Sequence, residues 1–293
     1  MRNLTFFGTV FFLFACSQNI ESSSIEQHGE NPQVSESQSD QITCSFSNDT
    51  ILHFAYLDTN DIDVIVRIPE GEIIGTIMAL PGWNYPNTHW CDSTSLCDKA
   101  LEQGYAMLFP QMGKSNYCSQ NYPETRKDWL HYPTRTWVVE SMIPEIQKSG
   151  LLDENDPNFI LGLSTGARGA MLIGLDLNRM WDGIAVLSGD FDQSQFPNDN
   201  LYIGFYGQMN LFPERWEVHD NAIHMLDRLR APVYIGHGRL DPVVDLKHSQ
   251  ILADRLKSQN RNYEFHIDEN ARHDYDYWDS EVDAMLEFFE KNR

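Results

Sequence analysis

Gly162-Leu163-Ser164-Thr165-Gly166 sets one serine between two glycines, directly after the apolar run NFILGL of residues 158–163. A serine hydroxyl is a weak nucleophile near neutral pH, so it needs a base within hydrogen-bond reach and an acid that fixes that base's tautomer. Both residue types follow downstream. Asp241 closes the run VYIGHGRLD just past a strand-like segment, and His273 stands in ARHDYDYW. Ser164, Asp241 and His273 are therefore candidates for nucleophile, orienting acid and base, in the chain order serine, acid, histidine. The glycines are the steric part of the pattern, because a strained strand-to-helix turn needs missing side chains on both flanks to expose the Ser164 hydroxyl. A helix opening after it would aim its N-terminus at negative charge developing on an acyl oxygen. That oxygen also needs amide donors; the candidates are Thr165, next to the nucleophile, and Trp83, in the turn Leu80-Pro81-Gly82-Trp83 after an early strand.

Other residues compete for these roles. Asp245 and Asp190 are alternative acids, the latter because it follows the strand-like run GIAVL of residues 183–187. His237 ends a strand and is positioned to hold the Asp241 turn; His266 alternates within a later strand; His89, His131, His219, His224 and His248 fall in loops or helices, where solvated or structural roles are the expectation. Asp274, Asp276 and Asp279 are scattered among aromatics, the pattern of a solvated acidic loop rather than a cation site, and no metal is expected. Trp83, Tyr85, Trp90, Tyr206 and Trp216 are candidates for an aromatic-lined substrate pocket suited to a sugar or aryl ester.

The elements that must position these residues alternate between strand and helix, the pattern of a mostly parallel sheet covered by helices. Strands are expected at 63–68, 73–80, 105–110, 158–163, 183–187, 232–235 and 263–267, and helices at 96–103, 133–148, 168–177, 246–259 and 280–291. Residues 189–230 carry aromatics, Gly, Pro and Asn without a clean strand and read as a cap-like insertion over the sheet's carboxyl edge.

From about Asp63 onward the chain resembles an α/β-hydrolase of the esterase and prolyl-oligopeptidase-like grouping. LPGW at 80–83, GLSTG at 162–166, HGRLDPVV at 237–244 and ARHDYDYW at 271–278 carry the resemblance; the last is similar to the histidine loop of S-formylglutathione-hydrolase-like esterases. Pro81 departs from the pattern, standing where the family usually has the histidine of a His-Gly turn, while the backbone amides remain. The resemblance implies an α/β-hydrolase fold and a serine hydrolase that cleaves a small-molecule carboxylic ester through an acyl-enzyme, without cofactor. A peptidase of the prolyl oligopeptidase kind is the enzymatic alternative, although it usually carries a large N-terminal propeller for which 293 residues leave no room. A surface-anchored binding module that kept the fold and lost the chemistry is the alternative from another class.

The N-terminal residues concern location. Arg2 leads into an apolar stretch too short to span a bilayer comfortably, which reads as an export signal. Leu13-Phe14-Ala15-Cys16 resembles the bacterial lipoprotein cleavage box, with Phe14 bulkier than usual; lipidation at Cys16 would anchor the protein in the bacterial cell envelope, and an ordinary signal peptide is the alternative. Residues 17–43 are polar and aperiodic and read as a tether, leaving 44–293 as the catalytic domain. Cys44, Cys91, Cys97 and Cys118 then remain in an oxidising compartment; of three possible pairings, Cys91 with Cys97 and Cys44 with Cys118 is favoured because the first two are close in the chain. A formal charge of -22 opposes binding to nucleic acid or to anionic lipid through the protein surface.

Overall fold

The computed structural model describes residues 50–56 and 60–293. The export segment, Cys16, the tether and Cys44 lie outside the described residues.

Eight strands form one sheet: β1 (Thr50–Tyr56), β2 (Asn60–Arg67), β3 (Gly75–Leu80), β4 (Tyr105–Pro110), β5 (Asn158–Leu163), β6 (Gly183–Leu187), β7 (Val233–Gly238) and β8 (Tyr263–Asp268). Their order is β1-β2-β4-β3-β5-β6-β7-β8. β1 and β4 pair antiparallel with β2, and every other pairing is parallel. This is the α/β-hydrolase fold. β1 has no counterpart in the sequence reading, because its two polar positions, Thr50 and His53, interrupt the apolar pattern of an edge strand. Its register with β2 sets His53 opposite Asp63, whose side chains pair at 2.6 Å.

Strands β3 to β7 are buried on both faces, which explains why they read as continuous apolar runs. Alternation sends their side chains into two cores. Met78, Leu80 and Ile160 face one side, with Val138, Met142, Met171 and Leu252. Ile77, Ala79, Phe159 and Leu161 face the other, with Leu96, Met285 and Phe289. The covering helices of the second side are α1 (His89–Ser93), α2 (Leu96–Gln103), α10 (Tyr275–Ser280) and α11 (Val282–Asn292).

On the first side lie α3 (Thr134–Trp137), α4 (Ile143–Gln147), α5 (Thr165–Asp176) and α9 (Lys247–Ser258). The single helix expected at 133–148 is interrupted by a π-helical turn, Val138–Met142, in which the Ile143 amide reaches Val138 O. Pro144 has no N–H to offer the Glu140 carbonyl, and the wider turn accommodates that missing bond. Between β6 and β7 the expected insertion holds α6 (Asn200–Tyr206), α7 (Pro213–Glu217) and α8 (Ala222–Met225).

Candidate active site

Ser164 joins β5 to α5 with φ 55° and ψ -126°, a conformation that costs a non-glycine residue about 1–3 kcal/mol and persists only where its surroundings impose it. The neighbouring glycines leave the room it needs. A Cβ on Gly162 would lie 2.2 Å from Gly166 O, and one on Gly166 would lie 2.5 Å from the carbonyl oxygens of both Leu80 and Pro81. The turn is further pinned by the Ser164 amide, which donates to Leu187 O at 2.9 Å. Only 8% of the residue is exposed, so solvent meets little of the residue beyond its hydroxyl end.

The carboxyl ends of β7 and β8 bring two loops to that hydroxyl. The Arg239 amide donates to Asp268 O at 2.8 Å and the Leu240 amide to Ala271 O at 2.9 Å, which locks the loop of Asp241 against the loop of His273. His273 Nε2 lies 3.0 Å from Ser164 Oγ, and its Nδ1 lies 2.7 Å from Asp241 Oδ2. With Nδ1–H donating to the carboxylate, Nε2 is left to accept the serine proton. The Asp241 side chain is fully buried, and its Oδ1 accepts the amides of Val243 at 2.8 Å and Val244 at 2.9 Å. His237 Nε2 approaches the same oxygen, Oδ2, at 3.4 Å, while Ser249 Oγ, 2.7 Å from Nδ1, and Val244 O, 3.0 Å from Nε2, fix that ring. Burial alone would raise the Asp241 carboxyl, but the hydrogen bonds from His237, His273 and Val244 outweigh it and hold the group well below the usual carboxylate range. Trp278 packs edge-on against His273 at 5.0 Å and donates its indole N–H to Ser188 Oγ at 3.2 Å.

The turn after β3 completes the surroundings. A Cβ on Gly82 would sit 3.4 Å from Ser164 Cβ, so the chain passes directly beside the serine before reaching Trp83. Neither the Trp83 amide nor that of Thr165 is engaged by a protein acceptor among the described residues. A tetrahedral oxyanion needs amide donors that are free in this way.

The model of the prolyl oligopeptidase family, Peptidase_S9, matches residues 101–292. The chain belongs to the prolyl oligopeptidase family. No curated protein matches the sequence. Among solved structures, FphF, a fluorophosphonate-binding serine hydrolase of Staphylococcus aureus, is 19% identical with a TM-score of 0.63, covering 83% of this chain and 99% of its own. An S-formylglutathione hydrolase from Agrobacterium tumefaciens is 14% identical with a TM-score of 0.67, covering 83% and 94%. Dipeptidyl peptidase 4 of Porphyromonas gingivalis is 12% identical with a TM-score of 0.63, covering 84% of this chain and 35% of its own. At these identities the likeness is one of fold. The chain is a serine hydrolase, and the part matched by the prolyl oligopeptidase family contains Ser164, Asp241 and His273, while Trp83 precedes it.

The rival acids are engaged elsewhere in this family member. Asp190 is buried against the Tyr202 hydroxyl and lies 3.8 Å from Arg168; burial raises it to about 6 despite that guanidinium. Asp245 accepts the Lys247 amide at 2.9 Å at the start of α9. Of the acidic loop beside His273, Asp274 accepts the Tyr277 amide at 3.1 Å at the start of α10, and Asp279 accepts the Ser95 amide at 2.6 Å.

The aromatic pocket expected from the sequence is corrected by the structure. Trp90, Tyr206 and Trp216 are core residues, not pocket walls. Each keeps its polar end inside: Trp90 Nε1 donates to Leu80 O at 3.0 Å, Trp216 Nε1 to Gly207 O at 3.0 Å, and the Tyr206 hydroxyl accepts from Arg168 at 3.1 Å. Trp83 and Tyr85 are half-buried, Trp83 standing edge-on to Trp129 at 4.9 Å and Tyr85 beside Gly82.

The cysteines divide. Cys91 and Cys97 form a disulfide between α1 and α2, with Cα atoms 5.1 Å apart. Cys118 is a free, buried thiol that donates to the Tyr206 hydroxyl at 3.3 Å; Cys44, its expected partner, lies outside the described residues. The aromatic cluster of Trp129, Tyr202, Phe205, Tyr206 and Trp216 encloses that thiol.

Arg168 escaped the sequence reading. It follows Ser164 by one helical turn, is wholly buried, and donates to Asn116 O at 3.2 Å, Gln193 Oε1 at 3.2 Å and Asp220 O at 2.5 Å as well as to Tyr206. It thereby ties the serine's helix to the insertion and to the loop before α3.

Proposed function

We propose that this protein hydrolyses carboxylic esters of small, uncharged molecules through an acyl-enzyme. The observation that carries the reading is the continuous run from Asp241 through His273 to Ser164 Oγ, with the amides of Thr165, next in the chain, and Trp83 left unengaged. Ser164 Oγ attacks the acyl carbon while His273 Nε2 takes its proton, and Asp241 stabilises the resulting imidazolium. The amides of Trp83 and Thr165 receive the oxyanion. His273 then returns the proton to the departing alcohol, and a water deprotonated by the same imidazole releases the acid.

Ester rather than peptide cleavage is supported by the solved relatives: the match runs through nearly the whole of FphF and of an S-formylglutathione hydrolase, but through about a third of dipeptidyl peptidase 4. The half-buried rings of Trp83 and Tyr85, in the turn that passes Ser164, support a sugar or aryl ester. Rates on p-nitrophenyl esters of rising chain length, on acetylated and feruloylated sugars, and on dipeptidyl p-nitroanilides test the assignment. Esters should be preferred by orders of magnitude; preference for the anilides would establish the peptidase reading, with which the family match is also compatible.

The location is inferred from sequence alone: export, lipidation of Cys16 and a tether that holds the domain off a membrane. Cys16→Ser expressed in a bacterial host should move the enzyme out of the membrane fraction; an unchanged distribution would favour a plain signal peptide.

A further inference from the structure

Three side chains with no part in the proton relay stand together beside the His273 loop. Tyr85 comes from the turn after β3, His89 opens α1, and Tyr275 opens α10 two residues past His273. Their ring centroids lie 4.9 Å (Tyr85 to His89), 5.3 Å (His89 to Tyr275) and 5.9 Å (Tyr85 to Tyr275) apart. His89 Nδ1 is 2.8 Å from the Tyr275 hydroxyl. All three are half-buried, so part of each ring remains open to a ligand.

This cluster reaches the reacting atoms from both ends. Tyr275 packs edge-on against Trp278 at 4.8 Å, and Trp278 packs against His273 at 5.0 Å. At the other end, a Cβ on Gly82 would lie 3.1 Å from the Tyr85 ring and 3.4 Å from Ser164 Cβ, so the ring and the nucleophile's residue border the same glycine.

Chemistry fixes which half of an ester belongs here. The departing oxygen takes its proton from His273 Nε2, so the alcohol half leaves along the side that the His273 loop lines. The surface offers ring faces for apolar C–H groups. It also offers polar edges: with the Tyr275 hydroxyl donating to His89 Nδ1, the imidazole keeps Nε2–H as a donor and the tyrosine oxygen keeps a lone pair as acceptor. Ring faces combined with donors and acceptors at their edges suit a ring that is apolar on its faces and hydroxylated at its rim. Asp274 and Asp276 flank Tyr275 and Asp92 follows His89 on α1, all exposed, which disfavours an anionic alcohol.

We propose that Tyr85, His89 and Tyr275 form the leaving-group subsite and that it takes a neutral polyhydroxylated ring, the alcohol half of a sugar ester. The proposal rests on the ester-hydrolase reading of the triad. In the step it serves, a bond forms between Ser164 Oγ and the acyl carbon, the bond from that carbon to the sugar oxygen breaks, and the proton removed from Ser164 passes through His273 to the sugar, which departs as a neutral alcohol.

The test holds the acyl group constant and varies the alcohol. kcat/KM is measured for an acetylated methyl xyloside and for ethyl acetate on the wild type and on Tyr275→Phe, His89→Gln and Tyr85→Leu. Because the ratio of the two values is taken within one preparation, it is independent of the folded fraction. The wild type should prefer the sugar ester, and each variant should lower the ratio about tenfold, mainly through KM of the sugar ester, as expected when a ground-state hydrogen bond or stacking face is lost. Ratios unchanged within about twofold in all three variants, or a wild type that favours ethyl acetate, would overturn the subsite alone. Turnover of neither ester by an enzyme that still takes a fluorophosphonate at Ser164 would overturn the ester reading and the subsite with it.

Discussion

Asp241 receives two backbone amides and stands between two imidazoles, so its charge is both buried and over-satisfied. That arrangement serves a group that must stay ionised while the neighbouring imidazole gains and loses a proton. Asp241→Asn should accordingly lower kcat by about 10⁴, because an amide cannot hold the productive tautomer or stabilise the imidazolium. Asp190→Asn, whose partners are Tyr202 and Arg168, should leave kcat within about an order of magnitude; steady-state kinetics that found Asp190→Asn the crippling change would move the acid to the strand before. The triad was legible in the sequence because the glycines beside Ser164 and the order of serine, acid and histidine both constrain it. Arg168 was not, since a charged residue in a helix pattern reads as solvated, and its four acceptors come from segments that only the folded chain brings together. Trp90, Tyr206 and Trp216 were misjudged for the complementary reason: an aromatic in a loop-rich stretch looks like a pocket wall until its indole or hydroxyl is seen to be satisfied inside.

Among the elements, α9 places His248 beneath the insertion, where the imidazole stacks on Phe196 at 3.7 Å between ring centroids. Burial, with the charges of Arg168, His237 and Lys247, depresses its pKa to about 3. The unfolded chain therefore binds a proton at His248 between about pH 6.5 and pH 3 that the folded protein refuses. Stability from this group is full above the unfolded value and falls as pH drops through that window. Thermal melts should show a Tm declining below about pH 6.5, and His248→Gln should flatten that decline; an unaltered slope would mean another group governs it. The disulfide acts at the same scale. Its partners are six residues apart, and closing so short a loop is worth about 2 kcal/mol. Reduction should lower Tm by several degrees with activity retained below the new midpoint, and Cys118 should contribute nothing to that change, its thiol being already free. The burial of Cys118 was not legible, because sequence reports the number of thiols but not the aromatic cage that encloses one of them. Strand positions fared better: doubly buried strands advertise themselves as unbroken apolar runs, whereas edge strand β1, with Thr50 and His53, does not.

At the scale of the whole molecule, the sheet's carboxyl edge carries the serine turn from β5, the acid loop from β7 and the histidine loop from β8, and the insertion after β6 is tied to the serine's helix through Arg168. The chain's formal charge of -22 disfavours anionic substrates, in keeping with neutral esters. The proposed hydrolysis requires Ser164 to be the nucleophile. Mass spectrometry of the protein treated with a fluorophosphonate and digested decides whether it is. A single adduct on the peptide bearing Ser164, absent from a Ser164→Ala variant that melts at an unchanged temperature and no longer cleaves esters, is the predicted result. An adduct on another residue, or a Ser164→Ala variant that keeps most of its activity, would contradict it.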